Sequence, residues 1–315
     1  MLTAIFYPHI IICSLSLSFV CSGSTKRDDT TMRKQPDQMY WATDFTRENE
    51  FTSGIEGPAV DQKGNIYAVN FGEQGTIGIV NPHGQSKLFV HLPEGSTGNG
   101  IRMGPTGHLY IADYTGHNVL KIDVESKKVD VHAHNDEMNQ PNDLAITTSG
   151  FLFASDPNWN ESTGQLWRIN PDGSTQLLES NMGTTNGIEV SPDEKTLYVN
   201  ESVQRKVWAY DLSAQGDITN KRLLHQFEDH GMDGMRCDKN GNLYVTRYGK
   251  GTVAILSPNG TFLREVAMKG KKTSNIAFGG LDGQTAYITL QDRGCFEVFR
   301  TEYAGRSFKM WNEKE

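Results

Sequence analysis

Apolar and polar residues alternate along most of this chain in short runs, and the runs recur. Six stretches share one pattern: GIEGPAVDQKGNIYAVN, GNGIRMGPTGHLYIAD, PNDLAITTSGFLFASD, TNGIEVSPDEKTLYVNE, MDGMRCDKNGNLYVTR and SNIAFGGLDGQTAYITL. Each opens on a polar residue and continues into a short alternating run. A turn follows (DQKGN, GPTGH, SPDEK, DKNGN), and then a second run rich in Tyr and β-branched residues, such as IYAV, LYIA or LYVT. Two period-2 runs joined by Gly- or Asn-bearing turns predict a β-hairpin. A third strand is expected at TIGIVN, NVLKID, QLWRIN, KVWAYD, TVAILS and CFEVFR, and a fourth, outer strand at KLFVHL, KVDVHA, TQLLES, RLLHQF and FLREVAM. Four strands per unit of 42 to 47 residues exclude a helical repeat and predict an all-β, six-bladed propeller around a central channel. The sixth unit lacks an outer strand of its own. It is expected to borrow one from the segment Tyr40 to Phe45 or from the tail near Ser307 to Trp311, which removes two free sheet edges.

Aligned on the repeat, Glu56, Asn99, Asn142, Asn186, Asp233 and Asn275 share one column. The second-strand aromatic follows this opening residue by 11 positions in four units and by 12 in the other two. Constant spacing gives the six openers equivalent positions at the start of the strand nearest the axis, where the strand ends of a propeller converge. Four amides and two carboxylates then face one another. Oxygen donors of this kind suit a hard divalent cation, Ca²⁺ above all, with Mg²⁺, Mn²⁺ or Zn²⁺ as alternatives. Glu56 and Asp233 match its charge, and Asn186 adds a neutral oxygen. The plainer alternative for any single unit is that Asn or Asp before Gly at a strand entry only caps the local backbone. Six aligned copies, only two of them acidic, favour a site.

Composition narrows the setting. Thirty-two glycines suit an architecture with many turns, and a net charge of −8 without a basic run argues against nucleic acid or an anionic membrane as partner. No stretch is long enough for a transmembrane span. Residues 1–23, with the apolar run YPHIIICSLSLSFVCSGS, suggest an export signal, residues 24–39 a flexible linker and residues 40–315 one propeller domain. Periplasmic or secreted localisation follows. A lipid at Cys21 is the alternative, although Ser18-Phe19-Val20 makes a poor lipidation box. Cys13 and Cys21 fall in that leader, and Cys237 and Cys295 show no metal-binding or disulfide spacing.

The motifs IEGPAVDQKGNIY, QPNDLAITTSGFLFASDP, TNGIEVSPDEKTLYVNES, MDGMRCDKNGNLYVT and SNIAFGGLDGQTAYIT, in this order and spacing, resemble the gluconolactonase and regucalcin-like (senescence marker protein) family over roughly residues 50 to 300. The resemblance implies a six-bladed propeller with one axial divalent metal, commonly calcium, and hydrolysis of lactones, with organophosphate hydrolysis in a sister group. It makes Glu56, Asn186 and Asp233 metal ligands, and Asn142 a fourth ligand or a substrate contact. Asn99 and Asn275 complete the ring without a firm role. Where regucalcin-like members carry a sugar-contacting arginine, this chain has Gln140. Asp156-Pro157 resembles the family's DP motif and is expected to shape the rim, with a simple turn as the alternative.

The chemistry expected is opening of a small-molecule lactone, with Asp233 as the base that activates water. His230, three residues before Asp233, lies within reach of the rim or is an exposed loop residue. No GxSxG elbow supports a serine mechanism. The alternatives are an aryl ester or organophosphate hydrolase using the same ring, and a non-catalytic propeller that binds calcium or another ligand.

Overall fold

The computed structural model describes residues 38–308. The expected leader and most of the expected linker lie outside the described residues. Among the described residues, twenty-four strands form six antiparallel sheets of four, one for each repeat unit. Blade one comprises Ala59–Val60, Ile66–Val69, Thr76–Val80 and Ser86–His91. Blade two comprises Gly98–Met103, His108–Asp113, Asn118–Asp123 and Val129–His134. Leu144–Ile146, Leu152–Asn158, Thr163–Ile169 and Thr175–Met182 make blade three. Blade four runs through Thr185–Val190, Thr196–Glu201, Lys206–Leu212 and Ile218–Gln226. Blade five contains Met235–Cys237, Leu243–Arg247, Thr252–Leu256 and Phe262–Ala267. Blade six supplies Thr273–Gly279, Thr285–Leu290 and Cys295–Arg300 from its own repeat.

The fourth strand of blade six is Thr43–Asp44, which pairs antiparallel with Val298 and Glu297. The first of the two expected donors therefore closes the ring. Residues 307 and 308 of the other candidate belong to a single helical turn begun at 306, and residues 309–311 fall outside the described residues.

Packing explains why no unit stands alone. The apolar core divides into six clusters, one at each interface between neighbouring blades. Alternation turns one face of each sheet toward each neighbour, so every blade needs two partners to bury both faces. At the seam between blades six and one, Phe45 meets Tyr287 edge to face with ring centroids 5.1 Å apart, and Phe51 meets Phe296 at 5.6 Å. Such pairs contribute about 0.5–1.5 kcal/mol beyond area burial. Cys237 and Cys295 are free, buried thiols.

Near the axis the blades approach so closely that side chains are excluded. A Cβ on Gly234 would stand 2.0 Å from the Asn275 side chain, and one on Gly57 would stand 2.0 Å from the Asn99 carbonyl oxygen. Gly57 also has a φ of 59°, a backbone region that only glycine enters freely. Gly234 shows no such angle, so crowding alone demands glycine there. The Gly that follows an opener is thus a packing requirement of the ring rather than a turn signal. Gly234→Ala is expected to cost about 1–3 kcal/mol by overpacking and to displace Asn275. A thermal melt together with a calcium titration checks both effects.

Candidate functional site

Five of the six openers line one cavity of about 740 Å³ at the channel mouth: Glu56, Asn99, Asn142, Asn186 and Asp233. The sixth, Asn275, is buried behind it, and its amide N–H donates to Glu56 Oε2 at 2.8 Å. Gly57 N–H donates to the same oxygen. Glu56 Oε1 has no partner, and neither do Asn142 Oδ1 and Asn186 Oδ1, although all three atoms are buried. The Asn186 side chain stands close to the Asp233 carboxylate. Burying an acceptor without a partner costs about 1–3 kcal/mol. Three such acceptors from blades one, three and four, beside a second carboxylate, fit a hard cation that takes oxygen donors. Among the described residues no group of three His, Cys, Asp or Glu gathers as a metal site, at the ring or elsewhere, so a donor set at the ring depends on amide oxygens as well as carboxylates.

The two acids are also drawn together. Asp233 lies within hydrogen-bonding reach of Glu56 across the ring. Burial, and after it the negative charge of Asp143, holds the Glu56 carboxyl above its ordinary range. Burial and then Glu56 raise Asp233 in the same direction. A carboxyl raised on folding stabilises the fold at low pH, and that contribution is lost as pH climbs from the unfolded value toward the folded one. The ion-free protein is therefore expected to melt at a lower temperature at pH 8 than at pH 5.5. Calcium is expected to reduce the slope, and so is Glu56→Gln. Melting curves across that range, with and without chelator, check the sign.

A second column positions the first. Fourteen or 15 residues after each of the first five openers stand Asn70, Asp113, Asp156, Glu201 and Arg247. Each sits at or within two residues of the end of its blade's second strand and ties down the segment leading into its own opener. Asn70 Nδ2 donates to Gly54 O, Asp113 accepts from Thr97 N–H, and Glu201 accepts from Gly183 N–H. Arg247 donates to Asp229 O. Asp156 is fully buried and accepts from the backbone N–H groups of Asn139 and Gln140, from Gln165 and from the Trp167 indole. Asp156 thus anchors the loop that delivers Asn142, which goes beyond a simple turn. In blade six Leu290 occupies the column, and Asp292 receives Lys271 and Lys272 N–H instead.

Gln140 lies in that anchored loop and is not among the residues that line the cavity. His230 is an exposed loop residue whose ring faces Asp229 at 3.4 Å, and it too is absent from the cavity wall.

Below the ring lies a layer of buried charge that the sequence pattern did not reveal. Arg102 reaches from blade two to Asp143 (3.0 Å) and to Ile188 O in blade four (2.9 Å). Arg236 in blade five reaches the other Asp143 oxygen at 3.2 Å. Glu189 faces Arg236 at 3.9 Å and Arg306 at 3.7 Å, while Arg306 also pairs with Glu194 at 2.6 Å. Arg102, Glu189 and Arg236 each follow an opener by three positions, a spacing that would place them on the opposite face of a regular strand. In blades two and four the register shifts between Gly98 and Ile101 and between Thr185 and Ile188. Such a bulge turns both the opener and the third residue after it toward the axis. Asp143 replaces the glycine that follows four of the other openers. The visible signal was a charge inside the short apolar runs IRM, IEV and MRC.

Six four-stranded blades and a ring of carboxylates and amides at the channel mouth define an axial-site β-propeller. The family described as the SMP-30/Gluconolactonase/LRE-like region matches residues 56–292, and the chain belongs to it. It is 33% identical over 216 residues to a gluconolactonase from Zymomonas mobilis subsp. mobilis, covering 61% of this chain and 60% of that protein. It is 33% identical over 153 residues to regucalcin from Bos taurus, covering 47% of this chain and 51% of that one. The chain thus spans between half and about 60% of these relatives' lengths. Among solved structures, a gluconolactonase from Xanthomonas campestris superimposes with a TM-score of 0.70 at 19% identity, over 82% of this chain and 89% of that one. A calcium-binding regucalcin from Agrobacterium tumefaciens gives 0.70 at 20%, over 81% and 92%. At such identities the structures speak for the fold.

Proposed function

We propose that this protein is a lactonase whose axial ring holds one divalent cation, with Ca²⁺ the best match. The observation that carries the metal assignment is the set of three buried, unpartnered oxygens beside two carboxylates. Family membership and the gluconolactonase relatives carry the reaction class. Glu56, Asn186 and Asp233 would hold the ion, with Asn142 as a fourth donor or as a contact to the substrate. Such an ion supplies Lewis-acid polarisation of a carbonyl and stabilises developing negative charge.

The chain's own residues do the rest. Asn275 and Gly57 fix one oxygen of Glu56 and leave the other facing the cavity. Asn200 donates to the Asp233 backbone carbonyl at 2.7 Å, which sets where that side chain begins. Asp233 receives a proton from the attacking water and returns it to the ring oxygen as the lactone C–O bond breaks. Asn99, anchored on Asn142 O at 2.9 Å, offers its carbonyl oxygen to a hydroxyl of the substrate.

The test is a panel of aldonolactones followed by acid release, with chelator and with each divalent metal restored in turn. Chelator-sensitive hydrolysis restored best by Ca²⁺ is expected. A protein that binds the ion yet opens no lactone would leave the non-catalytic alternative in possession.

A further inference from the structure

The walls of the upper cavity carry only two charged side chains, Glu56 and Asp233, and both are acidic. No Lys, Arg or His lines it among the described residues. On the blade-five side two cations are already committed: Arg247 pairs with Asp229 at 2.8 Å, and Lys250 pairs with Asp229 and Glu265 at 3.2 and 3.0 Å. A phosphate, sulfonate or second carboxylate on a bound ligand would thus surrender its water with no basic side chain in the wall to replace it, the charge of the proposed axial ion being already matched by Glu56 and Asp233.

One flank of the cavity is aromatic. Trp159 follows the second strand of blade three and lines the cavity together with Tyr114 from blade two. Trp159 is 39% exposed, and both rings offer apolar faces to a ligand. Tyr248 and fully buried Met232 line the cavity from the side of blade five, and the Tyr248 hydroxyl is spent on Gln291 at 3.0 Å. The volume, about 740 Å³, falls within the range of pockets that take ligands of drug size, well beyond one sugar ring.

We infer that the cavity selects neutral lactones carrying an apolar substituent, held against Tyr114 and Trp159, and turns away acidic lactones. This rests on the lactonase activity proposed above.

The experiment compares kcat/KM of the calcium-loaded enzyme for glucono-δ-lactone, its 6-phosphate and a δ-lactone with a six-carbon alkyl chain. The alkyl lactone is expected to exceed gluconolactone by about tenfold or more. The phosphorylated lactone is expected to fall below gluconolactone by about a hundredfold, the cost of a charged group left unpaired. Trp159→Ala is expected to cut the alkyl-to-gluconolactone ratio about tenfold, whereas Trp159→Phe keeps most of it. Equal turnover of the phosphorylated and unphosphorylated lactones would overturn the inference, and so would an alkyl-to-gluconolactone ratio that Trp159→Ala leaves unchanged. Failure to open any of the three lactones would instead overturn the proposed activity.

Discussion

Asp233→Ala is expected to remove calcium-dependent stabilisation and lactone turnover together. Asp233 is half-buried at the channel mouth, where it stands close to Asn186 and Glu56. Its loss leaves one negative charge to balance a divalent ion and frees the Asn186 amide to rotate. Loss of Lewis-acid assistance, worth several kcal/mol, corresponds to at least about a thousandfold in turnover. The same change removes two acids' mutual repulsion, so the ion-free variant is expected to melt no lower than the ion-free parent. A raised ion-free melting temperature with abolished calcium response separates a lost site from a lost fold. Turnover within tenfold of the parent would place the ion elsewhere.

The largest effect on stability is expected from Asp143→Ala. Asp143 is fully buried, and its two oxygens take Arg102 at 3.0 Å and Arg236 at 3.2 Å. Removing it leaves two guanidinium groups in the channel with only backbone carbonyls and the more distant Glu189 to face. Breaking a buried pair by removing one partner costs about 3–5 kcal/mol, which in a domain of this size lowers the melting temperature by roughly 10 °C. Replacing the set with apolar residues, as in Asp143→Leu with Arg102→Met and Arg236→Met, is expected to recover most of the loss. If the triple variant were no more stable than the single one, the layer would be acting through shape rather than charge.

Much of this was legible in the residues, for physical reasons that can be named. Strand alternation and a constant interval between opener and aromatic are local properties, so they gave six blades and one polar column directly. The borrowed strand was narrowed to two segments because both are short and alternating. Only the aromatic seam of Phe45 and Phe51 against Tyr287 and Phe296 decides for Thr43–Asp44. Arg102, Glu189 and Arg236 escaped notice because strict period-2 counting puts them on the wrong face, and the bulges that reorient Arg102 and Glu189 are invisible to that count. Asp156 was noticed as a motif, but its partners are backbone N–H groups, which leave no mark in sequence. Asn275 was left without a role because its task is to hold Glu56, a contact between the two ends of the repeat.

That contact gives the closing strand a consequence in time. Thr43 and Asp44 pair with residues roughly 250 positions downstream. At about 5–20 residues per second, the ribosome makes them some 10 to 50 seconds before their partners. Blades two to five can assemble in order of synthesis, while blade one waits with one flank exposed. Glu56 emerges first among the six openers and is the last to be held, because Asn275 arrives with the final blade. A nascent chain can thus offer scattered oxygens but not the finished ring. If the ring holds the proposed ion, full affinity for it becomes a certificate that synthesis and closure are complete.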